Sequence, residues 1–412
     1  MTSHVQRALN IGLRFGTLGV RFLFIFFLAR YLDATSVGYY GLFTATVGYC
    51  LYFVGLDYYV FVTREILRVP EDQRGRMLKG QAALSGLLYL LLSPAAVMLL
   101  AHMDWPGNLV WWFFPILILE HFNQEISRLL VALSEQISAS VILFVRQGSW
   151  AIAIVALMMH DPDSRHLDAV MALWTCAGVA AAASGIWKVQ RLRMGGWRHP
   201  IDWNWIRKGI TVSAAFLIAT LALRGFQTID RYWLEALGGI EMVGAYVLFL
   251  GVASALMVFL DAGVFSFSYP ALIRHSHNRE YDLARTRLRQ MLVQTLVCSL
   301  GFAVVSWLLL PWLLDWVGNP VYMEAIHLYP WVMAAMLINA LGMVPHYALY
   351  SHGQDKPVIY SHIAALPVFA LSTWIISKSA PILAVPAGIV IAFLMILTWK
   401  TLAWRRISRS YV

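Results

Sequence analysis

The chain repeats apolar stretches about 20 residues long, and these stretches restrict its fold more than any other feature. Each is long enough to cross a bilayer as a helix, and backbone buried in lipid is satisfied only in helices or closed barrels. Twelve such segments are predicted, over residues 10–30, 37–62, 81–101, 109–130, 139–159, 168–187, 209–230, 242–268, 290–314, 326–350, 359–377 and 383–402. The sequence therefore predicts an all-α membrane protein with twelve transmembrane helices.

Composition excludes most soluble classes of protein. Hydrophobic residues make up 60% of the chain and charged residues 13%, whereas soluble proteins are nearer half apolar and a quarter charged. The connecting segments are short and leave no room for a catalytic domain outside the membrane. Cys50, Cys176 and Cys298 lie in apolar stretches without metal-ligand spacing, so neither a disulfide framework nor a metal site is predicted.

The net charge of +9 is explained by membrane topology rather than by nucleic acid. If the N-terminus is cytoplasmic, most lysines and arginines fall on the cytoplasmic side, many of them in residues 188–208 and 274–289. Arg64, Arg128 and Lys400 are assigned to the same side. Cytoplasmic loops are enriched in these residue types, so both termini are predicted to be cytoplasmic. Anionic lipids of the inner leaflet are expected partners.

Short internal matches divide the predicted spans into two halves of six. The matches pair Ala29-Arg30-Tyr31-Leu32 with Asp230-Arg231-Tyr232-Trp233, Val37-Gly38-Tyr39-Tyr40 with Val243-Gly244-Ala245-Tyr246, and Leu56-Asp57 with Leu260-Asp261. We therefore predict an N-terminal lobe over residues 1–190, a cytoplasmic interfacial linker over 191–208 and a C-terminal lobe over 209–412. Parallel repeats of this kind are typical of transporters.

Charged residues within the spans are the candidate functional residues, because a charge in the bilayer needs a partner or a water-lined surface. Arg14 and Arg21 are seven residues apart and share one face of the first span, with Arg7 on the same stripe. Two interpretations fit Arg14. It binds an anionic ligand, or it forms a structural pair with Asp57, which lies at a similar depth on the next span. For Arg21, near mid-membrane, the ligand-binding interpretation is preferred.

The fourth span carries a carboxylate close to mid-membrane, Glu120. It is a candidate for binding a proton or a sodium ion, and a static salt bridge with Arg21 or Arg146 is an equal alternative. His121 and Glu125 alone are too few to predict a metal site. The sequence has no GxxxxGK[ST] motif, so ATP is not expected to drive transport. No cofactor is expected. Transport is expected to be coupled to a proton, a sodium ion or the membrane potential.

Several stretches carry a family resemblance: the run from Arg21 to Leu42, Gly55-Leu56-Asp57-Tyr58, Thr63-Arg64-Glu65-Ile66, and the run from Ile229 to Gly239 with Val243-Gly244-Ala245-Tyr246. They resemble the polysaccharide-biosynthesis and O-antigen flippases of the multidrug/oligosaccharidyl-lipid/polysaccharide exporter superfamily. The resemblance implies a V-shaped, two-lobe fold in the bacterial inner membrane. It also implies alternating-access transport of an undecaprenyl-pyrophosphate-linked oligosaccharide from the cytoplasmic to the periplasmic leaflet. A positive headgroup cavity is implied as well, with Arg14, Arg21, Arg146 and Arg224 as candidates.

The resemblance leaves the type of cargo open. Lipid II flippases of the superfamily have two further C-terminal helices, so this chain looks more like the O-antigen, capsule or exopolysaccharide branch, with glycan polymerase or ligase machinery as an expected partner. An ion-coupled drug exporter is the closest alternative. A membrane-embedded glycan polymerase or ligase is less favoured, because the external loops are short. A non-transporting scaffold for glycan assembly is a further alternative, and no enzyme activity is expected.

Overall fold

The computed structural model describes residues 3–103 and 105–408, apart from the side chains of residues 3–7, 215 and 216. The chain divides into two compact units. The first comprises Met1–Leu32 with Phe43–Ile218, and the second comprises Asp33–Leu42 with Ala219–Val412. The units differ from the predicted lobes in two places. Residues 33–42, predicted in the N-terminal lobe, belong to the second unit, and the predicted linker 191–208 belongs to the first.

The all-α prediction is confirmed: every regular element in the described residues is helical. The helices up to residue 191 are α1 Ser3–Tyr31, α2 Ala34–Gly55, α3 Tyr59–Ile66, α4 Glu71–His102, α5 Gly107–Ala132, α6 Gln136–Phe144, α7 Trp150–His160 and α8 Leu167–Arg191. Those that follow are α9 Trp203–Gly238, α10 Ile240–Leu260, α11 Ser266–His277, α12 Tyr281–Val317, α13 Pro320–Glu324, α14 Tyr329–Ser351, α15 Asp355–Ser377 and α16 Pro381–Ser408. Two five-residue π-helical segments interrupt longer helices, Val145–Ser149 between α6 and α7 and Asp261–Phe265 between α10 and α11.

Ten helical segments among the described residues are long and apolar enough to cross a membrane, where α6 with α7, α10 with α11 and α13 with α14 each count as one segment. Helix α9, taken as one broken span of Trp203–Ala214 and Leu217–Gly238, makes eleven. The chain is a multi-pass membrane protein. The remaining predicted span, 109–130, lies in α5, which is 26 residues long. At 1.5 Å per residue, that length exceeds the roughly 30 Å of a hydrocarbon core. A mostly polar run over residues 120–124 lowers its mean hydropathy, so α5 differs from the others in composition and not in length.

The second predicted span, 37–62, is interrupted in the structure. Helix α2 ends at Gly55, and Leu56 and Asp57 adopt left-handed backbone conformations with φ of 49° and 50°. Helix α3 then begins at Tyr59. Left-handed backbone costs a non-glycine residue about 1–2 kcal/mol, although Asp adopts it more readily than most. The prediction of one continuous helix is wrong here, and Asp57 lies in a turn.

In the first unit, α5 and α8 pack closely through small residues. Gly178 and Gly185 of α8 face Leu119 and Ile126 of α5, and a Cβ at Gly185 would lie 2.9 Å from a side-chain carbon of Ile126. Asn123 of α5 donates from Nδ2 to the main-chain oxygen of Gly178 at 2.9 Å. Small residues allow membrane helices to approach one another. This packing fixes the polar run of α5 inside the unit.

In the second unit, the start of α2 crosses the start of α10 at two glycines that the internal matches pair. A Cβ added to Gly38 would lie 2.2 Å from the main-chain oxygen of Ile240, and a Cβ added to Gly244 would lie 2.2 Å from that of Ala34. Ile240 lies four residues before Gly244, and Ala34 lies four residues before Gly38. The two helices therefore contact each other in the same way from both sides of the crossing. A side chain would collide with main chain at both positions, and both therefore require glycine.

Candidate functional site

An ion pair between α5 and the π segment after α6 lies at the centre of the candidate site. Arg146 Nε is 3.5 Å from Glu120 Oε2, and Arg146 Nη1 donates to the main-chain oxygen of Glu120 at 3.4 Å. Trp174 of α8 donates from Nε1 to Glu120 Oε1 at 2.9 Å. Both ion-paired residues are buried, with 6% of Arg146 and 8% of Glu120 exposed. The structure thus places Glu120 in a salt bridge, one of its two predicted roles, and ion binding by Glu120 stays a prediction.

The π segment sets the direction in which Arg146 points. Its sequence is Val-Arg-Gln-Gly-Ser, residues 145–149, and π-helical bonding shifts side chains relative to a regular α-helix. Two side chains bond to main-chain oxygens at this irregularity. Trp150 Nε1 donates to Arg146 at 2.9 Å, and Ser149 Oγ donates to Val145 at 2.7 Å. Such segments are frequent at functional sites, and no feature of the sequence predicted this one.

The two arginines predicted on one face of α1 contact α6 and the π segment. Arg21 Nη1 donates to Gln147 Oε1 at 3.0 Å. Arg14 Nε donates to Ser140 Oγ at 3.0 Å, and Ser140 donates to Asn10 of α1. Both arginines are exposed on the first unit. Because a guanidinium carries five N–H donors, each retains donors for a further ligand.

The predicted structural pair of Arg14 with Asp57 is not formed in the structure. Arg14 hydrogen-bonds to Ser140 instead, and no ion pair joins it to Asp57 among the described residues. The prediction rested on similar depth along consecutive spans, and depth does not fix which sides of two helices face each other. In addition, α2 ends before Asp57, whose left-handed turn removes it from the helix face. The side chain of Arg7, on the same stripe, lies outside the described residues.

A second ion pair, which was not predicted, lies further along α5. Arg128 Nη1 is 2.6 Å from Glu125 Oε1, and Gln81 of α4 donates from Nε2 to Glu125 Oε2 at 2.5 Å. The Arg128 guanidinium also lies over the ring of Tyr59, 3.6 Å from its centroid, which is a cation–π contact. The three-residue spacing of Glu125 and Arg128 is the only signal in the sequence that indicates this pair.

The two ion pairs border a cavity of about 630 Å³ within the first unit. Its lining comes from α3, α5, α6 and the π segment, and comprises Tyr59, Thr63, Arg64, Leu67, Gln124, Ser127, Arg128, Val131, Ala132, Leu143 and Arg146. Three of these residues are arginines, and no carboxylate is among them. Arg64 forms no ion pair with any described residue. Arg128 and Arg146 are each paired with a carboxylate, so the unbalanced positive charge at the cavity is that of Arg64, and most of the remaining surface is apolar.

Arg224, the fourth predicted headgroup ligand, belongs to α9 in the second unit. Its Nη1 donates to Gln227 Oε1 at 3.2 Å, and the residue is exposed. In the first unit, Arg21 of α1 hydrogen-bonds to Gln147, which directly follows Arg146 in the π segment. The assignment of Arg224 to a shared headgroup cavity stays a prediction.

His121 and Glu125 do not form a metal-ligand set. Glu125 is bonded to an arginine and a glutamine, and the His121 ring packs against Tyr89 with centroids 5.7 Å apart. In the described part of the chain, no group of three or more His, Cys, Asp and Glu side chains converges on one point. The local chemistry of α5 is therefore that of charge pairs and amide hydrogen bonds.

Most of the chain matches one known family of proteins. Residues 8–276 match the family model described as polysaccharide biosynthesis protein. The chain belongs to that family. No curated protein matches the chain in sequence.

Solved structures with a similar fold are transporters of the MATE family. An inward-facing multidrug resistance MATE transporter of the MOP superfamily gives a TM-score of 0.80 at 12% identity, over 95% of each chain. The Vibrio cholerae MATE transporter VcmN in its bent form gives 0.60 at 15% identity, over 98% of each chain. An outward-facing MATE transporter gives 0.60 at 14% identity, over 98% of this chain and 96% of the other. The chain thus has the fold of the MATE transporters.

The lining of the cavity combines guanidinium and hydroxyl groups. Guanidinium groups can form paired hydrogen bonds to phosphate oxygens, and the guanidinium groups of Arg64, Arg128 and Arg146 share one cavity. Hydroxyl groups are present, on Tyr59, Thr63 and Ser127, but none of the residues lining the cavity is a histidine or carboxylate that would activate them.

Proposed function

We propose that this protein is a flippase for an undecaprenyl-pyrophosphate-linked oligosaccharide, which it moves from the cytoplasmic to the periplasmic leaflet of the bacterial inner membrane. The observation that carries the proposal is the cavity lined by Arg64, Arg128 and Arg146. Membership of the polysaccharide biosynthesis family and the exporter fold support alternating-access transport. The oligosaccharide would serve O-antigen, capsule or exopolysaccharide assembly.

A pyrophosphate headgroup suits this cavity in charge and in size. The volume of about 630 Å³ lies within the usual range for small-molecule sites, about 300–1,000 Å³. Arg128 and Arg146 use part of their donors on carboxylates and retain others. Arg64 adds a positive charge that no described carboxylate offsets. Exposed Arg14 and Arg21 would extend the positive surface along α1.

Binding of a soluble analogue tests the proposal. A short-prenyl pyrophosphate disaccharide is titrated into the full-length protein by isothermal calorimetry. Arg64→Ala and Arg128→Ala should each weaken binding by about 10-fold to 100-fold, because a hydrogen bond to a charged group contributes about 1.5–3 kcal/mol. Arg68→Ala is the matched control, since Arg68 pairs with Glu65 at an exposed position and does not line the cavity. Equal affinity in all three variants contradicts the assignment.

Ion-coupled export of a small molecule or drug is a second candidate function, which the MATE transporters of similar fold favour. A cationic drug needs an accessible carboxylate, and Glu120 and Glu125 are both paired with arginines. Export of a cationic dye by proteoliposomes, together with no binding of the pyrophosphate analogue, would favour drug transport over the flippase.

We further propose that the membrane potential drives part of the transport, with Glu120 setting its pH dependence. Two negative charges that move outward across 100 mV gain about 4–5 kcal/mol if no cation accompanies them. Cations that travel with the headgroup reduce this gain, and a proton or sodium ion at Glu120 would then contribute. Flipping that is indifferent to a valinomycin-set potential, and unchanged in Glu120→Gln across pH 6 to 8, would reject this coupling.

The proposal places both termini in the cytoplasm, because the basic segments 188–208 and 274–289 would then face the anionic inner leaflet. Anionic lipids and glycan polymerase or ligase machinery are the expected partners. Single cysteines introduced at residues 274–289 should react with an impermeant maleimide only in inside-out vesicles. Reaction in right-side-out cells would contradict this orientation.

A further inference from the structure

A basic cluster in the second unit plays no part in the proposed headgroup site. Lys400 of α16 has its Nζ 3.4 Å from Nδ1 of His346 on α14. The ring of His346 stacks with that of His362 on α15, with centroids 6.4 Å apart and ring planes at 11°. Lys400 is 3% exposed, whereas both histidines are partly exposed. The lysine thus lies behind two histidines that reach the surface of the unit.

The titratable or charged groups that contact the two histidines are basic or phenolic, and the carboxylate of Asp261 lies beyond Tyr347. Tyr347 and Tyr350 of α14 contact the ring of His346, with centroids 5.6 and 6.3 Å away. Arg224 of α9 lies close enough to His362 for electrostatic repulsion. Within the described ranges, no carboxylate lies at ion-pair distance from the lysine. Among the described residues, the cluster is therefore a basic group that no carboxylate pairs with directly.

The contact between Lys400 and His346 restricts how many protons the pair can hold. An ammonium group only donates hydrogen bonds, so His346 accepts one at Nδ1 only when that nitrogen carries no proton. If both side chains were charged, two positive charges would lie 3.4 Å apart in a buried environment, which their repulsion opposes. The pair therefore holds at most one positive charge. No carboxylate among the described residues pairs with it, so it is not part of a structural salt bridge.

We propose that Lys400, His346 and His362 form a proton-binding site in the second unit, and that this site exchanges a proton with water during transport. The partly exposed histidines supply the route between the buried lysine and the surface of the unit. Gain or loss of the proton changes the charge of the unit by one, which offsets part of the charge of an anionic cargo. The link to cargo rests on the proposed function, whereas the proton site itself does not.

Histidine NMR of the full-length protein in nanodiscs tests the proton site. Rings labelled with carbon-13 are followed across pH, and His346→Gln and His362→Gln identify the two signals. In Lys400→Met, His346 should take up its proton about one pH unit or more higher than in the wild type, because a positive charge next to the ring is removed. Lys378→Met is the control, since Lys378 is exposed over Trp374, and it should leave the signal unchanged.

Identical titration of His346 in the wild type and in Lys400→Met would overturn the proton site. Lys400→Gln, which keeps a polar side chain, serves as the second variant if methionine prevents folding. Proteoliposomes with an internal pH dye provide the transport readout: the pyrophosphate analogue should drive proton flux in the wild type and little in Lys400→Met. Unchanged flux in that variant overturns the coupling. A wild type that does not move the analogue, but retains the coupled titration, contradicts the flippase function and supports the site.

Discussion

The buried pair of Arg146 and Glu120 predicts a large, non-additive effect of mutation on stability. Two unit charges separated by the observed 3.5 Å attract by about 5 kcal/mol at an effective dielectric constant of about 20, and desolvation reduces that gain. Removal of one partner leaves the other charge buried without compensation. Arg146→Met and Glu120→Gln should therefore each lower the free energy of unfolding by about 3–5 kcal/mol. The double variant removes both charges, and we expect a coupling energy of about 2–3 kcal/mol.

Unfolding in mixed micelles at increasing SDS mole fraction, followed by tryptophan fluorescence, measures these free energies. Arg68→Ala is the control, because Arg68 is 74% exposed in its pair with Glu65. Exposed pairs contribute about 0–1 kcal/mol, so this variant should unfold close to the wild type. If the losses in Arg146→Met and Glu120→Gln simply add in the double variant, the two residues are not an energetic pair and the reasoning fails.

Three further predictions concern other positions of the chain. Arg21→Ala should insert into the membrane normally yet abolish surface glycan when it is expressed in flippase-deficient cells. Arg21→Lys should retain part of the glycan, because the positive charge remains while the planar guanidinium group is lost. Full glycan display by Arg21→Ala would contradict a role of Arg21 in transport. Gly244→Ala would bring a Cβ within 2.2 Å of a main-chain oxygen of α2 and should lower the yield of folded protein on size-exclusion chromatography, whereas Gly301→Ala, with open space around its Cβ, should not. Trp174→Phe removes a donor to Glu120 and should lower the free energy of unfolding by about 1–2 kcal/mol, measured by the same SDS titration.

Hydropathy and the cost of a charge in lipid were enough to predict the all-α class and the candidate functional residues of the first unit, which are the charged residues within its spans. They did not predict the partner of Glu120, which the sequence left open between Arg21 and Arg146. That choice depends on the π segment, because a shift in helical bonding redirects Arg146 without changing its depth. Depth along a span follows from residue counting, but rotation about a helix axis depends on packing.

The residues that sequence reasoning missed lie towards the ends of predicted spans. Arg128 and Lys400 were assigned to the cytoplasmic side because apolar windows end near them. In the structure Arg128 pairs with Glu125, and Lys400 is buried against His346. The opposite error concerns Asp57, which a continuous apolar window placed within a helix although the backbone turns there. Window methods locate spans well and their boundaries poorly, since caps and turns are short-range features.

In the proposed function, the arginine-lined cavity of the first unit passes a pyrophosphate headgroup from one leaflet to the other. Proteoliposomes that contain a fluorescent undecaprenyl-pyrophosphate oligosaccharide, with an impermeant quencher outside, measure the exchange between leaflets directly. Wild-type protein and Arg68→Ala should both give exchange well above that of protein-free liposomes, and Arg64→Ala should slow it by about 10-fold or more. Exchange by wild-type protein no faster than in protein-free liposomes, or equal rates in Arg64→Ala and Arg68→Ala, would contradict the claim.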